Sequence, residues 1–260
     1  MSGRMVVELT QNRFKRALAE GRPQIGLWSS LGSPLVAEII GHSGFDWILL
    51  DTEHSPTELP SLVAQLQAMQ TGTATPIVRP AWNDPVLIKR ILDIGAQSLL
   101  LPFVQNAEEA ARAVAATRYP PDGIRGVATS SRAAGFGRIP DYALNAAREI
   151  CVLVQVETRA ALDVLPAVAA VPGVDGIFIG PSDLAASLGH LGNHKHPEVQ
   201  DAIGHALAAC KRAGKPAGYL TPDEAEARKW LDAGFTFVAV GSDNGVLAKN
   251  VDALRQRFRT

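Results

Sequence analysis

The sequence predicts an α/β protein, a (β/α)8 TIM barrel that forms a single domain over residues 1–260. Three observations support this prediction. Short apolar runs alternate with amphipathic helical patterns along the whole chain. Several runs, such as WILL, SLLL and FVAV, are apolar throughout, which is typical of parallel strands buried on both faces. Eight strand–helix pairs follow one another, as a (β/α)8 barrel requires.

The elements alternate in order along the chain. The predicted strands are apolar runs, at residues 24–30, 47–52, 76–81, 98–104, 151–157, 176–180, 217–220 and 237–240. The predicted helices show apolar residues at three- and four-residue spacing, at 34–42, 58–69, 85–93, 107–117, 159–169, 197–213, 223–233 and 244–258. Residues 119–140 are the longest predicted irregular segment, and loops of this length are more often functional than idle. A doubly wound sheet is the rival fold, but its glycine-rich dinucleotide fingerprint is absent after the first strand.

Composition limits the classes of function. With 25 basic and 26 acidic side chains the formal net charge is −1, so neither nucleic acid nor an anionic membrane is an expected partner. A hydrophobic fraction of 47% excludes disorder, and two cysteines are too few for a disulfide framework. The sequence shows no targeting segment and no apolar run of membrane-spanning length, so we expect a cytoplasmic protein with a small-molecule substrate.

Polar side chains interrupt or follow four predicted strands, at the ends where barrel enzymes have their active sites. They lie in the segments LLDTEH, IVRP, VQVE and GPSD, and they include Asp51, His54, Arg79, Glu157 and Asp183. Since the carboxyl ends of all barrel strands meet at one rim, we expect these side chains to converge there.

Two of the carboxylates predict a metal site. The two-residue period of a strand places Gln155 and Glu157 on one face and two valines on the other, so both polar side chains point into the barrel. Glu157 and Asp183 would hold one divalent cation, for which Mg²⁺ or Mn²⁺ suits the oxygen ligands better than Zn²⁺. The alternative for Glu157 is a structural salt bridge with Arg79. The alternative for Asp183 is that its charge only complements the dipole of a helix that begins nearby.

The pair Asp51 and His54 predicts a general base. If the strand ends near Thr52 and the chain then turns, both side chains face the barrel mouth. Asp51 can then orient and polarise the imidazole, which makes His54 a base near neutral pH. We interpret Glu53, which lies between them, as structural.

Two other patterns predict no chemistry. The segment HLGNHKH at 190–196 contains three histidines, but a Gly/Asn-rich loop without cysteine favours solvated side chains over a zinc site. None of the seven lysines interrupts a predicted strand. A Schiff base needs a lysine inside the site, so metal-assisted enolate chemistry without an organic cofactor is the remaining expectation.

Long blocks of the sequence resemble one enzyme family. The stretches GLWSSLGSPLVAEIIGHSGFDWILLDTEHSP, RYPPDGIRG, VLVQVET and VDGIFIGPSDLAASLG resemble the HpcH/HpaI family of class II pyruvate aldolases. The resemblance runs from about residue 14 to residue 258. It implies a (β/α)8 barrel that assembles into a homo-oligomer, usually a hexamer. It also implies reversible cleavage of 4-hydroxy-2-oxo acids to pyruvate and an aldehyde, with 4-hydroxy-2-oxoheptanedioate, an intermediate of aromatic catabolism, as the first expected substrate.

The resemblance further implies roles for individual positions. The metal ligands of the family correspond to Glu157 and Asp183. The ion would be Mg²⁺ or Mn²⁺, with Co²⁺ as a further candidate. Asp51 and His54 correspond to the base dyad, and Arg79 corresponds to the arginine that binds pyruvate. Substrate binding falls on Gln155, Ser182 and Asp183, with Trp28 and Leu220 lining the aldehyde side of the pocket. Asp93 corresponds to an acid that reaches the site of a neighbouring subunit.

Three alternatives to the first expected substrate stay open. Residues 129–137 depart from the pattern of the heptanedioate enzymes, which leaves the aldehyde open. Sugar-derived 3-deoxy-2-oxo acids, of the 2-dehydro-3-deoxyglucarate or rhamnonate type, are the main alternative. An acyl-CoA lyase and a non-catalytic metabolite-binding barrel are the others; the sequence shows no basic patch suited to a CoA phosphate.

Overall fold

Eight parallel strands close into a barrel in the computed structural model, which describes residues 6–259. Each strand pairs with the next one in the chain and β1 pairs with β8, so the order around the barrel is the order in the sequence. The predicted (β/α)8 fold is confirmed. The strands are β1 Gln24–Ser29, β2 Trp47–Asp51, β3 Thr75–Arg79, β4 Ser98–Leu101, β5 Cys151–Val156, β6 Gly176–Ile179, β7 Ala217–Leu220 and β8 Phe237–Ser242.

Helices surround the barrel and connect its strands. The described residues form α1 Arg13–Ala19, α2 Pro34–Gly41, α3 Leu59–Ala68, α4 Pro85–Asp93, α5 Ala107–Ala116, α6 Tyr142–Glu149, α7 Arg159–Asp163, α8 Leu165–Ala169, α9 Pro181–Ser187, α10 Pro197–Arg212, α11 Glu224–Ala233 and α12 Asp243–Gln256, with a short 3-10 turn at Met69–Thr71. The segment 119–140 contains no helix or strand, as predicted.

The structure differs from the prediction in three places. The helix predicted at 159–169 is two helices, α7 and α8, because Pro166 has no N–H and its ring clashes with the preceding turn. The short helices α1 and α6 were not predicted. Several strands end earlier than predicted, so that Glu157 and Gly180 lie just beyond β5 and β6, in the loops at the barrel mouth.

Large side chains fill the interior of the barrel, and α1 closes its amino-terminal end. Trp47, Phe178 and Phe237 are buried inside the barrel. Phe14 of α1 packs against two of them, with ring centroids 6.0 Å from Trp47 and 5.7 Å from Phe237. A second apolar cluster lies between the strands and the outer helices. It contains Val154 and Val156, which leaves the opposite face of β5 to the interior, as the two-residue period predicts.

Gly26 in β1 makes room for the interior packing, because a Cβ at this position would overlap the indole ring of Trp47. We expect Gly26→Ala to lower the free energy of unfolding by about 1–3 kcal/mol, since the packed ring cannot move without strain. Urea unfolding measures the change. Gly204→Ala in α10 is the matched control: a Cβ there meets no atom within 4 Å, and alanine favours the helix. Equal stability of the Gly26→Ala and natural proteins would contradict the prediction.

Most of α12 is exposed. Asp243 is its buried residue, whereas Val246, Leu247, Val251 and Leu254 are 51%, 55%, 52% and 49% exposed. Apolar side chains on one helix therefore have no cover within the described chain. Within residues 6–259, no helix has the length and apolar character that a bilayer crossing requires.

Candidate active site

The carboxyl ends of β2, β3, β5 and β6 bring together the polar side chains that the sequence placed there. Asp51 ends β2 and Arg79 ends β3, and the two residues are register partners. Gln155 lies in β5 and Glu157 directly follows that strand. Asp183 lies in the first turn of α9, which begins one residue after the glycine that follows β6. These residues form one group at the barrel mouth.

Arg79 and Asp51 form a buried bidentate ion pair. Arg79 Nε donates to Asp51 Oδ1 at 2.9 Å and Nη2 donates to Oδ2 at 2.7 Å. The Trp28 ring lies beside the guanidinium, with its centroid 5.0 Å from Arg79 Cζ, and Trp28 Nε1 donates to Asp51 Oδ2 at 3.4 Å. Two hydrogen bonds and an aromatic face therefore fix the plane of the guanidinium.

Burial and pairing have opposite effects on the pKa values of this pair. Burial raises the pKa of Asp51, but the hydrogen bond and charge of Arg79 outweigh it, so that the pKa is lowered from its ordinary value. Burial lowers the pKa of Arg79, but Asp51 and Glu53 outweigh it and the pKa is raised. Both side chains are therefore charged at neutral pH.

A second carboxylate approaches Arg79 from the loop after β2. Glu53 Oε2 lies 2.9 Å from Arg79 Nη1, as an ion pair rather than an aligned hydrogen bond. Glu53 Oε1 lies 3.9 Å from Nε2 of His54, whose side chain is 69% exposed at the mouth. Burial raises the pKa of Glu53 above its ordinary value. The charges of Arg79 and His54 act in the opposite direction but do not cancel this rise. Glu53 thus stands between the arginine and the histidine.

One contact expected from the sequence, and one given there as an alternative, are absent from the described residues. The Asp51 side chain is not bonded to the imidazole of His54, because the turn directs the backbone N–H of Glu53 to Asp51 Oδ1 at 3.0 Å. Glu157 forms no salt bridge with Arg79, since Arg79 already pairs with Asp51 and Glu53. The dyad of Asp51 and His54 therefore stays a prediction that these contacts do not support.

Glu157 is buried beside another carboxylate. Gln155 Nε2 donates to Glu157 Oε2 at 2.5 Å, and the backbone N of Phe103 donates to Oε1 at 2.9 Å. Burial raises the pKa of Glu157 to about 7; the Gln155 hydrogen bond acts against this rise, and the charge of Asp183 adds to it. A Cβ at Gly180 would lie 2.6 Å from Glu157 Oε2, so the missing side chain lets β6 approach this carboxylate.

The donor set around Glu157 fits a divalent cation. Across residues 6–259, neither Glu157 nor Asp183 has a cationic side chain within salt-bridge distance. The Oε1 atom of Gln155 is also buried without a hydrogen-bond partner there. Buried carboxylates need a cation or donors, and hard divalent cations prefer oxygen ligands. The arrangement therefore suits the predicted ligand pair.

The remaining predicted residues have different environments. Ser182 lies beside Asp183 in the first turn of α9. Trp28 is 5% exposed and supports Arg79 from inside the barrel, while Leu220, at the end of β7, packs partly buried against the interior cluster. Asp93, at the end of α4, accepts a hydrogen bond from Nη2 of the buried Arg125 at 2.7 Å.

The side chains of the histidine-rich segment contact one another, unlike those of the solvated loop that the sequence predicts. The His190 and His196 rings stack with centroids 3.5 Å apart and planes at 15°. His190 Nε2 lies 2.8 Å from Glu198 Oε2, and ligand atoms of these three residues lie within 4.8 Å of one another. Parallel rings do not direct their lone pairs at one point, and Glu198 already pairs with Arg159 at 2.6 Å. Among residues 6–259, no hydrogen bond or salt bridge joins these three residues to the candidate site residues at the barrel mouth.

A cavity of about 540 Å³ lies elsewhere, at the amino-terminal ends of β3 and β4. The segment before α1 and part of the 119–140 loop line it, and none of the predicted site residues does. This cavity is therefore separate from the candidate site at the carboxyl ends of the strands.

Sequence reasoning missed two contributors to the site. Phe103 has φ of 53°, a strained left-handed conformation that accompanies the hydrogen bond from its N–H to Glu157, and no local pattern indicates it. Glu53 did carry a signal, since it is a charged residue between two predicted site residues. The prediction about lysine stands within the described strands, none of which contains one.

Comparisons with known proteins find one enzyme family along nearly the whole chain. The family model described as HpcH/HpaI aldolase/citrate lyase matches residues 24–250. A Rhizobium etli protein named pyruvate aldolase is 56% identical over 254 residues, covering 98% of this chain and 100% of that protein. A Salmonella newport protein named 5-keto-4-deoxy-D-glucarate aldolase is 52% identical over 248 residues, covering 95% and 97%.

A solved structure has the same fold along nearly the whole chain. The crystal structure of an HpcH/HpaI aldolase/citrate lyase family protein from Burkholderia cenocepacia J2315 superimposes with a TM-score of 0.94 at 41% identity. The match covers 96% of this chain and 100% of that one.

Proposed function

The chain belongs to the HpcH/HpaI aldolase/citrate lyase family and is a carbon–carbon lyase for small molecules, and from this premise we propose that it cleaves a 4-hydroxy-2-oxo acid reversibly to pyruvate and an aldehyde. The observation that carries the proposal is the meeting of two groups at one barrel mouth. One is the fixed guanidinium of Arg79, and the other is the buried carboxylate of Glu157 beside the exposed carboxylate of Asp183, neither of which pairs with a cationic side chain among the described residues.

We propose that the substrate is a sugar-derived 3-deoxy-2-oxo acid. The relative named for 5-keto-4-deoxy-D-glucarate is 52% identical to this chain. Numbered from its other end, that compound has an oxo group on C2, no hydroxyl on C3 and a hydroxyl on C4. It therefore contains the reacting unit of a 4-hydroxy-2-oxo acid. The name of this relative supports the sugar-acid alternative better than the heptanedioate that we expected first from the resemblance, and the relative named pyruvate aldolase is compatible with both.

Arg79 binds and orients the substrate in this proposal. Asp51 engages Nε and one N–H of Nη2, which leaves N–H groups of Nη1 and Nη2 for oxygens of the substrate. Because the guanidinium is fixed before the substrate arrives, it can stabilise the charge that develops on the C2 oxygen during cleavage. The amide of Gln155 and the backbone N–H groups of Ser182 and Asp183 would bind the C1 carboxylate.

His54 is the general base in this proposal. It lies at the exposed mouth, where the C4 hydroxyl of a substrate bound by Arg79 would lie. The imidazole accepts the hydroxyl proton, the C3–C4 bond breaks, and the aldehyde and the enolate of pyruvate form. Protonation of the enolate at C3 then gives pyruvate. Leu220 and the loop around His54 would contact the aldehyde portion.

Glu157 and Asp183 would hold the divalent cation, and we propose Mg²⁺ or Mn²⁺ from their oxygen ligands. When bound, such a cation supplies Lewis-acid stabilisation of negative charge on the substrate oxygens. Gln155 and the Phe103 backbone keep the Glu157 carboxylate oriented toward that position through the two hydrogen bonds described above.

We also propose that the chain acts as a homo-oligomer. The exposed apolar side chains of α12 support this, because they have no partner within the described chain. Sedimentation velocity would measure the assembly state.

Pyruvate release from 3-deoxy-2-oxo hexarates, before and after metal removal, tests the proposed function. We expect chelator-treated protein to lose activity and added Mg²⁺ or Mn²⁺ to restore it, because two carboxylates alone cannot stabilise an oxyanion. The heptanedioate acid is tested in parallel and should be the poorer substrate by kcat/KM. A coupled lactate dehydrogenase assay follows the pyruvate.

Three results would contradict parts of this proposal. Activity that is indifferent to chelator would exclude the metal role of Glu157 and Asp183. A preference for the heptanedioate would exclude the sugar-acid class. If no 4-hydroxy-2-oxo acid releases pyruvate, an acyl-CoA lyase or a metabolite-binding barrel becomes the better hypothesis.

A further inference from the structure

Trp82 and Phe103 form an aromatic pair beside the candidate site, and the proposed function does not use their rings. Trp82 lies in the loop after β3 and Phe103 in the loop after β4, with ring centroids 5.5 Å apart and planes at 30°. We propose that Trp82 is a positioning residue, which holds Phe103 in the backbone conformation that orients Glu157 toward its cation. This inference rests on the proposed function, in which Glu157 is a metal ligand.

The aromatic pair does not serve the apolar core. Trp82 is 52% exposed and Phe103 is 40% exposed, and within residues 6–259 neither ring belongs to the two buried apolar clusters. A cavity of about 290 Å³ borders both rings. Because each ring keeps much of its surface in contact with solvent, the main effect of the stacking is on the geometry of the two loops.

The loop that carries Trp82 is fixed at both ends. It begins at Pro80, directly after Arg79, the last residue of β3. It ends at Asp84, whose carboxylate accepts hydrogen bonds from two backbone N–H groups in the first turn of α4. The backbone N of Asp84 also donates to Trp82 O at 2.9 Å. The indole therefore provides a fixed surface for the ring of Phe103.

The backbone of Phe103 needs such support. Its φ of 53° lies in the left-handed region, where the Cβ crowds the neighbouring carbonyl group. The next residue is fixed, because Val104 is buried and its N donates to Gln155 O at 3.1 Å. If Phe103 relaxed to a negative φ with Val104 in place, its N–H would turn away from Glu157 Oε1, which now accepts it at 2.9 Å. A stacked aromatic pair supplies stabilisation of the same order as this strain.

The aromatic contact joins the ends of three consecutive strands. Trp82 follows Arg79 of β3 by three residues, Phe103 follows β4, and Glu157 follows β5. In the proposed function the substrate lies between Arg79 and the cation held by Glu157, so the relative position of these two groups must be kept. Removing a partner that orients a metal ligand typically changes metal affinity by about 10- to 100-fold.

Trp82→Ala removes the supporting ring and no hydrogen-bond partner of Glu157. We expect the dissociation constant for Mn²⁺, measured by isothermal titration of chelator-treated protein, to rise about tenfold or more. Trp82→Phe keeps a stacking ring and should bind Mn²⁺ within about threefold of the natural protein. Phe136→Ala is the matched control, because Phe136 is also exposed and has φ of 57°, but lines the cavity at the amino-terminal ends of the strands. A change within about threefold for Trp82→Ala overturns the proposal.

Phe103→Gly shows whether Trp82 acts through the backbone of Phe103. Glycine adopts a positive φ without strain and keeps the N–H that Glu157 accepts. If the proposal is right, Trp82→Ala weakens Mn²⁺ binding no further in the Phe103→Gly background. If the full loss recurs there, Trp82 acts through another part of the protein, and the proposal is overturned. Urea unfolding of each variant shows that the Mn²⁺ constants belong to folded protein.

Hydrogen exchange in metal-free protein separates this inference from the proposed function. Mass spectrometry of overlapping peptides that contain residue 103 measures the exchange rate of the Phe103 amide. We expect about tenfold faster exchange or more in Trp82→Ala, and the natural rate in Trp82→Phe and Phe136→Ala. An unchanged rate in Trp82→Ala overturns the proposal even if the protein is an active aldolase. Faster exchange in a protein that cleaves no oxo acid refutes the proposed function and supports the positioning of Phe103 by Trp82.

Discussion

Replacing Arg79 by lysine should lower kcat/KM for pyruvate release by about 10²- to 10³-fold. Lysine keeps the positive charge but carries three rotating N–H groups on one nitrogen, whereas Arg79 has five in a plane. In the structure this plane serves Asp51 bidentately, faces Glu53, and has N–H groups left for the substrate. A lysine ammonium cannot contact Asp51, Glu53 and the substrate at the same time.

Arg112→Lys is the control for the Arg79 prediction. Arg112 lies on α5 with a 60% exposed side chain and pairs with Glu108 one helical turn away. Both variants are assayed with the same oxo acid at saturating Mg²⁺, and urea unfolding shows whether either one is unfolded. A kcat/KM for Arg79→Lys within about threefold of the natural value would show that charge alone is sufficient there.

Glu157→Gln should reduce pyruvate release by about 10³-fold or more, because a cation that stabilises the oxyanion contributes several kcal/mol. Glutamine retains an oxygen for the Phe103 N–H and nearly the same volume, so the barrel should remain folded. What it lacks is the negative charge that binds the cation. Isothermal titration with Mn²⁺ measures that loss directly, and Glu38→Gln, which removes an exposed carboxylate on α2, provides the control. Unchanged Mn²⁺ affinity would exclude Glu157 as a ligand.

The same residue predicts a pH dependence in chelator-treated protein. Burial raises the pKa of Glu157 from 4.5 to about 7. Between these values the unfolded chain has released a proton that the folded protein still holds, so stability falls as the pH rises from 4.5 to 7. The urea midpoint should show this fall in the natural protein and lack it in Glu157→Gln. Since a cation competes with that proton, Mn²⁺ affinity should rise with pH over the same range.

The periodic features of the sequence predict the barrel and much of its mouth. The two-residue period of β5 assigns Gln155 and Glu157 to the interior, and the structure confirms this with a 2.5 Å hydrogen bond between their side chains. Prolines mark helix starts such as Pro34, Pro85 and Pro197. These signals are local, so a single sequence contains them.

The partners within the site could not be predicted in the same way. Whether the Asp51 carboxylate pairs with His54 or with Arg79 depends on how the chain turns at residues 52–56 and on the register of β2 with β3. Neither is set by the spacing of the residues in the sequence. The role of Phe103 depends on a left-handed backbone conformation that aromatic residues seldom adopt. Contacts between elements were therefore missed where the elements themselves were correct.

The closed amino-terminal end of the barrel has a kinetic consequence. Phe14 and Leu18 of α1 belong to the interior cluster, so a molecule bound against Arg79 and Glu157 can leave only through the mouth, past His54. Two fragments formed in a chamber with one exit depart in sequence, the outer one first. In the proposed reaction the aldehyde is the outer fragment and pyruvate the inner one. Under the proposed function, synthesis in the reverse direction should therefore be ordered, with pyruvate entering before the aldehyde, and initial-rate kinetics would measure this order.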